Sequence, residues 1–320
     1  YMRSNKFSAT LLKPYIDNVK TKKIIIEIEK DERFHRKYDE MLKLIAYVTE
    51  YNELNYTIIK HYFIPHVKML DIDLHICDPK EILRLCEILD KYGFTFYDFR
   101  FFAHPLKLGA KNFHIDQDGE ISVEIYPEIA VGRIIVGPTC DFVNNYIEIN
   151  IHGGYNVKVL PFAENIYTML THDWYSQEIP LSLIVYALKN ITVADIEKII
   201  ELGIEWGTLP AVYTFLKLLK LVGVRFGVAY ETLYKIDEME QVLDFNIKKY
   251  IEKRFSDSRN IIFPVRIPYT WILLSMPYHI KQIYKRSSWK ITIYDAYSHF
   301  AYLFIYVYNF LRMMFNVRSS

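Results

Sequence analysis

The stretch Leu70-Asp71-Ile72-Asp73-Leu74-His75-Ile76 alternates apolar and polar residues strictly, which is the period of a β-strand. Side chains on a strand point to alternate faces, so Leu70, Ile72, Leu74 and Ile76 are expected to enter a core while Asp71, Asp73 and His75 share the other face. Two carboxylates on one face repel each other and are most readily tolerated with a cation between them, so a divalent metal is the first chemical expectation. The plainer reading is a solvated strand face, and the Asp-Ile-Asp pattern taken alone favours it.

Working outward, Asp78-Pro79-Lys80-Glu81 reads as a helix start, with Asp78 as N-cap, Pro79 at the first helical position and Glu81 closing a capping box. Ile82, Leu83, Leu85, Cys86 and Leu89 follow at helical spacing, and Gly93 stands where a left-handed C-terminal cap belongs. The spacing predicts a helix over 79–92. Phe94 to Phe102 reads as a strand, and Lys111 to Ile115 and Glu120 to Tyr126 as two more, joined by a turn at Asp116-Gln117-Asp118-Gly119. In the last of these Ile121, Val123 and Ile125 alternate with Glu120, Ser122, Glu124 and Tyr126. If that strand lies beside the opening one, Glu124 approaches Asp71 and Asp73.

Upstream, residues 1–54 read as a helical lead-in with Leu42, Leu44, Ile45 and Val48 as its apolar stripe, although Ile24-Ile25-Ile26-Glu27-Ile28-Glu29 fits a strand as well as a helix. Tyr56-Thr57-Ile58-Ile59 is a short β-branched run ending at Lys60-His61. Ile147, Ile149 and Ile151 alternate before Gly153-Gly154, a pair read as a turn rather than a phosphate cradle. From Ala163 to Ile251 the pattern is helical: Thr192 caps one helix, Gly207 ends it, and Leu209-Pro210 begins the next. His172-Asp173 is read as structural, because a His and an Asp adjacent in sequence seldom point together. A final apolar helix is expected from about Tyr294 to Phe315. Its Tyr, His, Asn and Arg residues argue against membrane insertion and for a packed or partner-facing helix.

The composition, with 51% hydrophobic residues, 24% charged residues, 27 Tyr and 20 Phe, excludes a disordered chain. A net charge of +1 gives no general drive toward nucleic acid or an anionic membrane. Cys77, Cys86 and Cys140 form no CxxC pair and are odd in number, which predicts no disulfide framework and a reducing, cytoplasmic setting. Tyr1 to Lys13 has no apolar segment of the signal-peptide kind. The abundance of Ile, Tyr, Lys and Glu leans toward a thermophile. The expected fold class is α+β: a small mixed sheet with flanking helices over 55–160, then a helical domain over 161–320.

The Asp-hydrophobic-Asp strand, the helix after it and a third acid on a later strand together resemble the nucleotidyltransferase superfamily, the DNA polymerase β-like fold. The similarity is closest to bacterial and archaeal nucleotidyltransferase-like proteins related to type IV toxin nucleotidyltransferases. It rests further on Ile59-Lys60-His61-Tyr62 before the acidic strand, on Val123-Glu124-Ile125-Tyr126 around the third acid, and on the helix pair from Asp195 to Gly223. The resemblance covers about residues 55–270. It implies that Asp71, Asp73 and Glu124 ligate Mg2+ or Mn2+, and that an NTP such as ATP is the substrate. A hydroxyl of RNA, protein or a small molecule would be the acceptor. Lys60, His61 and Lys68 would contact the nucleotide, with Lys107 and Lys111 as weaker candidates. Family members usually carry Gly-Ser or Gly-Gly where this chain has His61-Tyr62. Two other readings stay open: a catalytically silent fold of this type kept as a binding or toxin–antitoxin module, and an unrelated α+β protein in which the acidic strand is incidental.

Overall fold

The helical stripe upstream of the acidic strand decides the first ambiguity. Phe34, Tyr38, Met41, Ile45 and Val48 recur at intervals of three and four and are all buried, as is Leu42, and α1 spans Lys22–Tyr51, taking Ile24 to Glu29 into the helix. The computed structural model describes residues 22–61, 71–98, 106–115, 119–131, 134–137, 140–151, 154–226, 230–256 and 261–286. The tail helix expected at 294–315 and the link from Tyr62 to Leu70, which contains Lys68, lie outside them.

After α1 come β1 (Thr57–Ile59), β2 (Asp71–His75), α2 (Pro79–Lys91), β3 (Phe94–Asp98), β4 (Leu106–Ile115) and β5 (Gly119–Tyr126). Two short strands, β6 (Ala130–Val131) and β7 (Ile134–Ile135), the one-turn α3 (Asp141–Asn144) and the hairpin of β8 (Ile147–Ile151) and β9 (Tyr155–Val159) complete the first half. Among the described residues, seven strands form one mixed sheet in the order β3-β4-β5-β2-β1-β9-β8. β2 runs parallel to β5 and β1 parallel to β9, while the other neighbours are antiparallel. The acidic strand is thus central, flanked by β5 and β1. Asp78 caps α2 by accepting from the Lys80 N–H at 2.8 Å, as expected. Glu81 does not close a capping box: its Oε1 accepts instead from the Asn55 N–H at 3.3 Å, which ties α2 to the chain entering β1. Gly93 follows with φ +82°.

The central strands of the sheet are buried on both faces. Ile58, Ile72, Leu74, Ile76, Ile121, Val123 and Ile125 pack with α1 and α2 in one core. On the other face, Ile59 and Tyr126 join the core of the helical half. The second face of β2 is therefore not a solvated surface: Asp73 is 5% exposed and His75 fully buried. That half is built from α4 (Phe162–Tyr175), β10 (Glu178–Ile179), α5 (Leu181–Asn190), α6 (Val193–Glu205), α7 (Leu209–Phe226), α8 (Tyr230–Val242), α9 (Lys248–Arg254), β11 (Val265–Arg266) and α10 (Tyr269–Arg286). α4 is buried almost all round, so it forms the axis on which α5, α6 and α7 pack. Thr192 and Asp195 form a reciprocal capping box at the start of α6. Gly207 ends it at φ +70°, where a Cβ would come within 2.6 Å of the His279 Cα on α10. His172 Nδ1 lies 3.3 Å from Asp173 Oδ1, so these neighbours do meet, against expectation.

The cysteines also differ from expectation. Cys77, just past β2, and Cys140, at the start of α3, are joined as a disulfide with Cα atoms 5.4 Å apart, and Cys86 is free and buried. An odd count does not forbid one pair, and the chain path decides which. Beside the end of β2, where Thr57 pairs with His75, the Thr57 hydroxyl shares its proton between the Phe142 and Val143 carbonyls at 3.3 and 3.4 Å. No helix among the described residues is long and apolar enough to cross a membrane.

Candidate metal centre

The parallel register of β2 and β5 sets Asp73 beside Glu124 and Asp71 beside Ser122. Alternation puts Asp71 and Asp73 on one face, and the register puts Glu124 on it too. One oxygen from each of Asp71, Asp73 and Glu124 can be chosen so that all three lie within 4.8 Å of one another. Three acids from two adjacent strands thus converge, as the sequence predicts. His75, expected on the same face, is not part of the cluster. Its buried ring bonds through Nδ1 to the Tyr126 carbonyl at 2.8 Å, where the Ile76 N–H also donates at 3.1 Å.

Lys60 closes the cluster from the side of β1. Its ammonium lies 2.8 Å from Asp73 Oδ2 and donates to the Tyr126 hydroxyl at 2.9 Å, and it sits 4.2 Å from the centre of the Tyr126 ring. Tyr126 in turn donates to Glu124 Oε2 at 2.7 Å. Burial, reinforced by the surrounding carboxylates, holds the Tyr126 hydroxyl well above its ordinary pKa, so it stays a donor. Asp73 is pushed up to about 7, first by burial, against the lowering influence of Lys60 and with Asp71 and Glu124 adding to the rise. Its other oxygen, Oδ1, is buried and has no hydrogen-bond partner among the described residues. A buried carboxylate oxygen left this way is costly. Tyr38 of α1 covers the start of the acidic strand, its hydroxyl 3.4 Å from the Asp71 carbonyl.

No family model matches the chain, and no curated protein or solved structure is significantly similar to it. The chemistry of the site rests on its own atoms. All three acids offer hard oxygen ligands, the set that suits Mg2+ or Mn2+ rather than a thiophilic metal, and the orphaned Asp73 Oδ1 fits a cation that would satisfy it. Among the described residues, Lys60 supplies the ammonium that meets these carboxylates.

The nucleotide contacts expected from sequence fare unevenly. Lys60 is committed to the acids. His61 is 9% exposed, its ring stacks in tilted fashion on Tyr38 at 5.6 Å, and burial alone lowers its pKa to about 3, so it presents no cationic ring to a phosphate. Lys68 lies outside the described residues. The backbone of Lys107 pairs with Glu124 in the β4–β5 ladder, and Lys111 lies farther along β4. Two residues escaped the sequence reading of the site. Tyr126 was legible in principle, because it follows Glu124 by two and so shares its face. Asn165, on α4, bonds the His61 backbone beside Lys60 and gave no signal, since that partner is backbone more than a hundred residues away.

Proposed function

We propose that this chain is a magnesium-dependent nucleotidyltransferase that moves a nucleoside monophosphate from an NTP to a hydroxyl of RNA, protein or a small molecule. The observation that carries the reading is the convergence of Asp71, Asp73 and Glu124 within 4.8 Å on neighbouring parallel strands. Asp71, Asp73 and Glu124 would hold the metal, which when bound supplies charge neutralisation and Lewis-acid polarisation at the phosphate. The remaining work falls to the chain. Glu124, oriented by the Tyr126 hydroxyl, takes the proton of the acceptor hydroxyl as its oxygen attacks the α-phosphorus and pyrophosphate leaves. Lys60 transfers its ammonium from Asp73 to a phosphate oxygen of the incoming nucleotide. Asp73 is buried and the Lys60 side chain is 12% exposed, which strengthens the interactions made there.

Two observations favour a second reading, a catalytically silent fold of the same type serving as a binding or toxin–antitoxin module. Lys60 already neutralises Asp73 at 2.8 Å, and no glycine opens the backbone after β1 to a triphosphate. Incubation with labelled NTPs, Mg2+ and RNA or protein acceptors separates the two. Transfer by the wild type that falls at least a hundredfold in Asp71→Ala/Asp73→Ala is the expected result. Transfer that survives the double substitution would sink the metal mechanism. Mg2+ and nucleotide binding with no transfer to any acceptor would establish the silent fold.

A further inference from the structure

Lys60 has a backbone conformation that its residue type disfavours. Its φ is +56°, in the left-handed region that L-residues other than Asn, Asp and Gly rarely enter. The residue after it is gripped from the helical half. The His61 N–H donates to Asn165 Oδ1 at 3.2 Å, and Asn165 Nδ2 donates to the His61 carbonyl at 2.6 Å, both bonds buried. A single carboxamide thus satisfies both backbone groups of one residue in place of a further β partner. Asn165 is itself fixed. It is 2% exposed, its N–H donates to the Pro161 carbonyl at 2.9 Å in the first turn of α4, and its carbonyl accepts from the Thr168 hydroxyl at 2.8 Å.

We propose that Asn165 is a positioning residue, whose clamp on the His61 backbone holds Lys60 in its left-handed turn and so delivers the ammonium to Asp73 and Tyr126. The geometry leaves little freedom. β1 ends at Ile59, opposite Asp73 in the register, so an extended Lys60 would carry its side chain to the other face of the sheet. The left-handed turn keeps it on the acid face, and Asn165 is the group that fixes the chain directly after it. Through this contact the helical half sets the cation that balances the acids. The inference rests on the proposed metal site only for its consequence in metal binding, not for the position of Lys60.

The test therefore has two arms on the full chain. In the first, lysine acylation at neutral pH is mapped by mass spectrometry, with exposed Lys189 as internal standard. Asn165→Ala is expected to raise labelling of Lys60 about fivefold relative to Lys189, the scale of one lost buried hydrogen bond. An unchanged ratio overturns the proposal, and so does a rise shared by all lysines, which would mean general loosening. Should the alanine variant not fold, Asn165→Asp decides in its place. It keeps the acceptor for the His61 N–H and loses the donor to the His61 carbonyl, and it too should raise the ratio. In the second arm, Mn2+ binding is followed by electron paramagnetic resonance. Asn165→Ala should tighten binding about fivefold because a displaced ammonium no longer competes for Asp73, and this gain should vanish in a Lys60→Met background. A gain that persists in full without Lys60 overturns the proposal. If the wild type binds no Mn2+, the metal reading fails while the labelling arm still decides the role of Asn165.

Discussion

Asp73 holds an electrostatic position different from that of any surface acid. Burial and two neighbouring carboxylates push its pKa from 3.8 to about 7, and Lys60 restrains the rise. The consequence for stability has a definite sign. A carboxyl whose pKa is higher in the folded than in the unfolded state binds its proton more tightly when folded. Its contribution to stability is thus fully present below pH 3.8 and is lost as the pH climbs through about 7. Glu240 of α8 is shifted in the same direction, chiefly by burial and against the pull of Lys217. Chelator-treated protein is accordingly expected to lose stability toward urea between pH 5 and pH 8. Asp73→Asn should flatten that slope, because a neutral amide has no proton to give up. A wild-type midpoint that rises over the same interval would contradict the assigned environment of Asp73. The amide should also weaken Mn2+ binding at pH 8, which separates loss of a ligand from loss of a charge penalty.

At the scale of elements, the turn between α6 and α7 joins two constraints at one residue. Gly207 is at φ +70°, and a Cβ there would meet the backbone of His279 on α10, whose ring in turn bonds the Trp206 carbonyl at 2.8 Å. Gly207→Ala is expected to cost about 2–4 kcal/mol, the sum of left-handed strain and a forced separation of α10. Chemical denaturation checks it, and a loss below about 1 kcal/mol would mean that α10 yields freely. The sequence announces this turn well, as it does α2 and α6, because glycines, prolines and capping side chains act within a few residues of where they stand. It announces β2 and β5 equally well, since alternation shows in both. It is silent on pairing. Ladders such as β1 with β9 join distant stretches by backbone groups that every residue carries. The partner of Glu81 shows the same limit: a capping box and a bond to Asn55 look alike until the fold places Asn55 nearby.

For the whole molecule, the acid-bearing face of the sheet meets the helical half across Ile59, Tyr126 and Asn165, and the disulfide fastens the start of α3 to the end of the acidic strand. Cys77 and Cys140 close a loop of sequence separation 63. Reduction, or Cys140→Ser, should therefore lower the unfolding free energy by about 2–4 kcal/mol. Equal urea midpoints with and without dithiothreitol would show that the pair contributes nothing. The bond also removes the cysteine count as an argument for a reducing compartment. Of the candidate centre, the three acids were legible because each lies on a strand whose faces alternate. Lys60 was legible as a cation near them but not as their ion-pair partner, because its left-handed turn is set by an amide on α4. The parallel pairing of β2 and β5 carries one last implication. A sheet fixes distances as a lattice does, through the spacing of its strands, so the separation of Asp73 from Glu124 does not depend on the length of chain between them. Insertions outside the strands, after α2 and before β5, leave that spacing intact. A one-residue slip within β5 turns Glu124 to the opposite face and abolishes the centre.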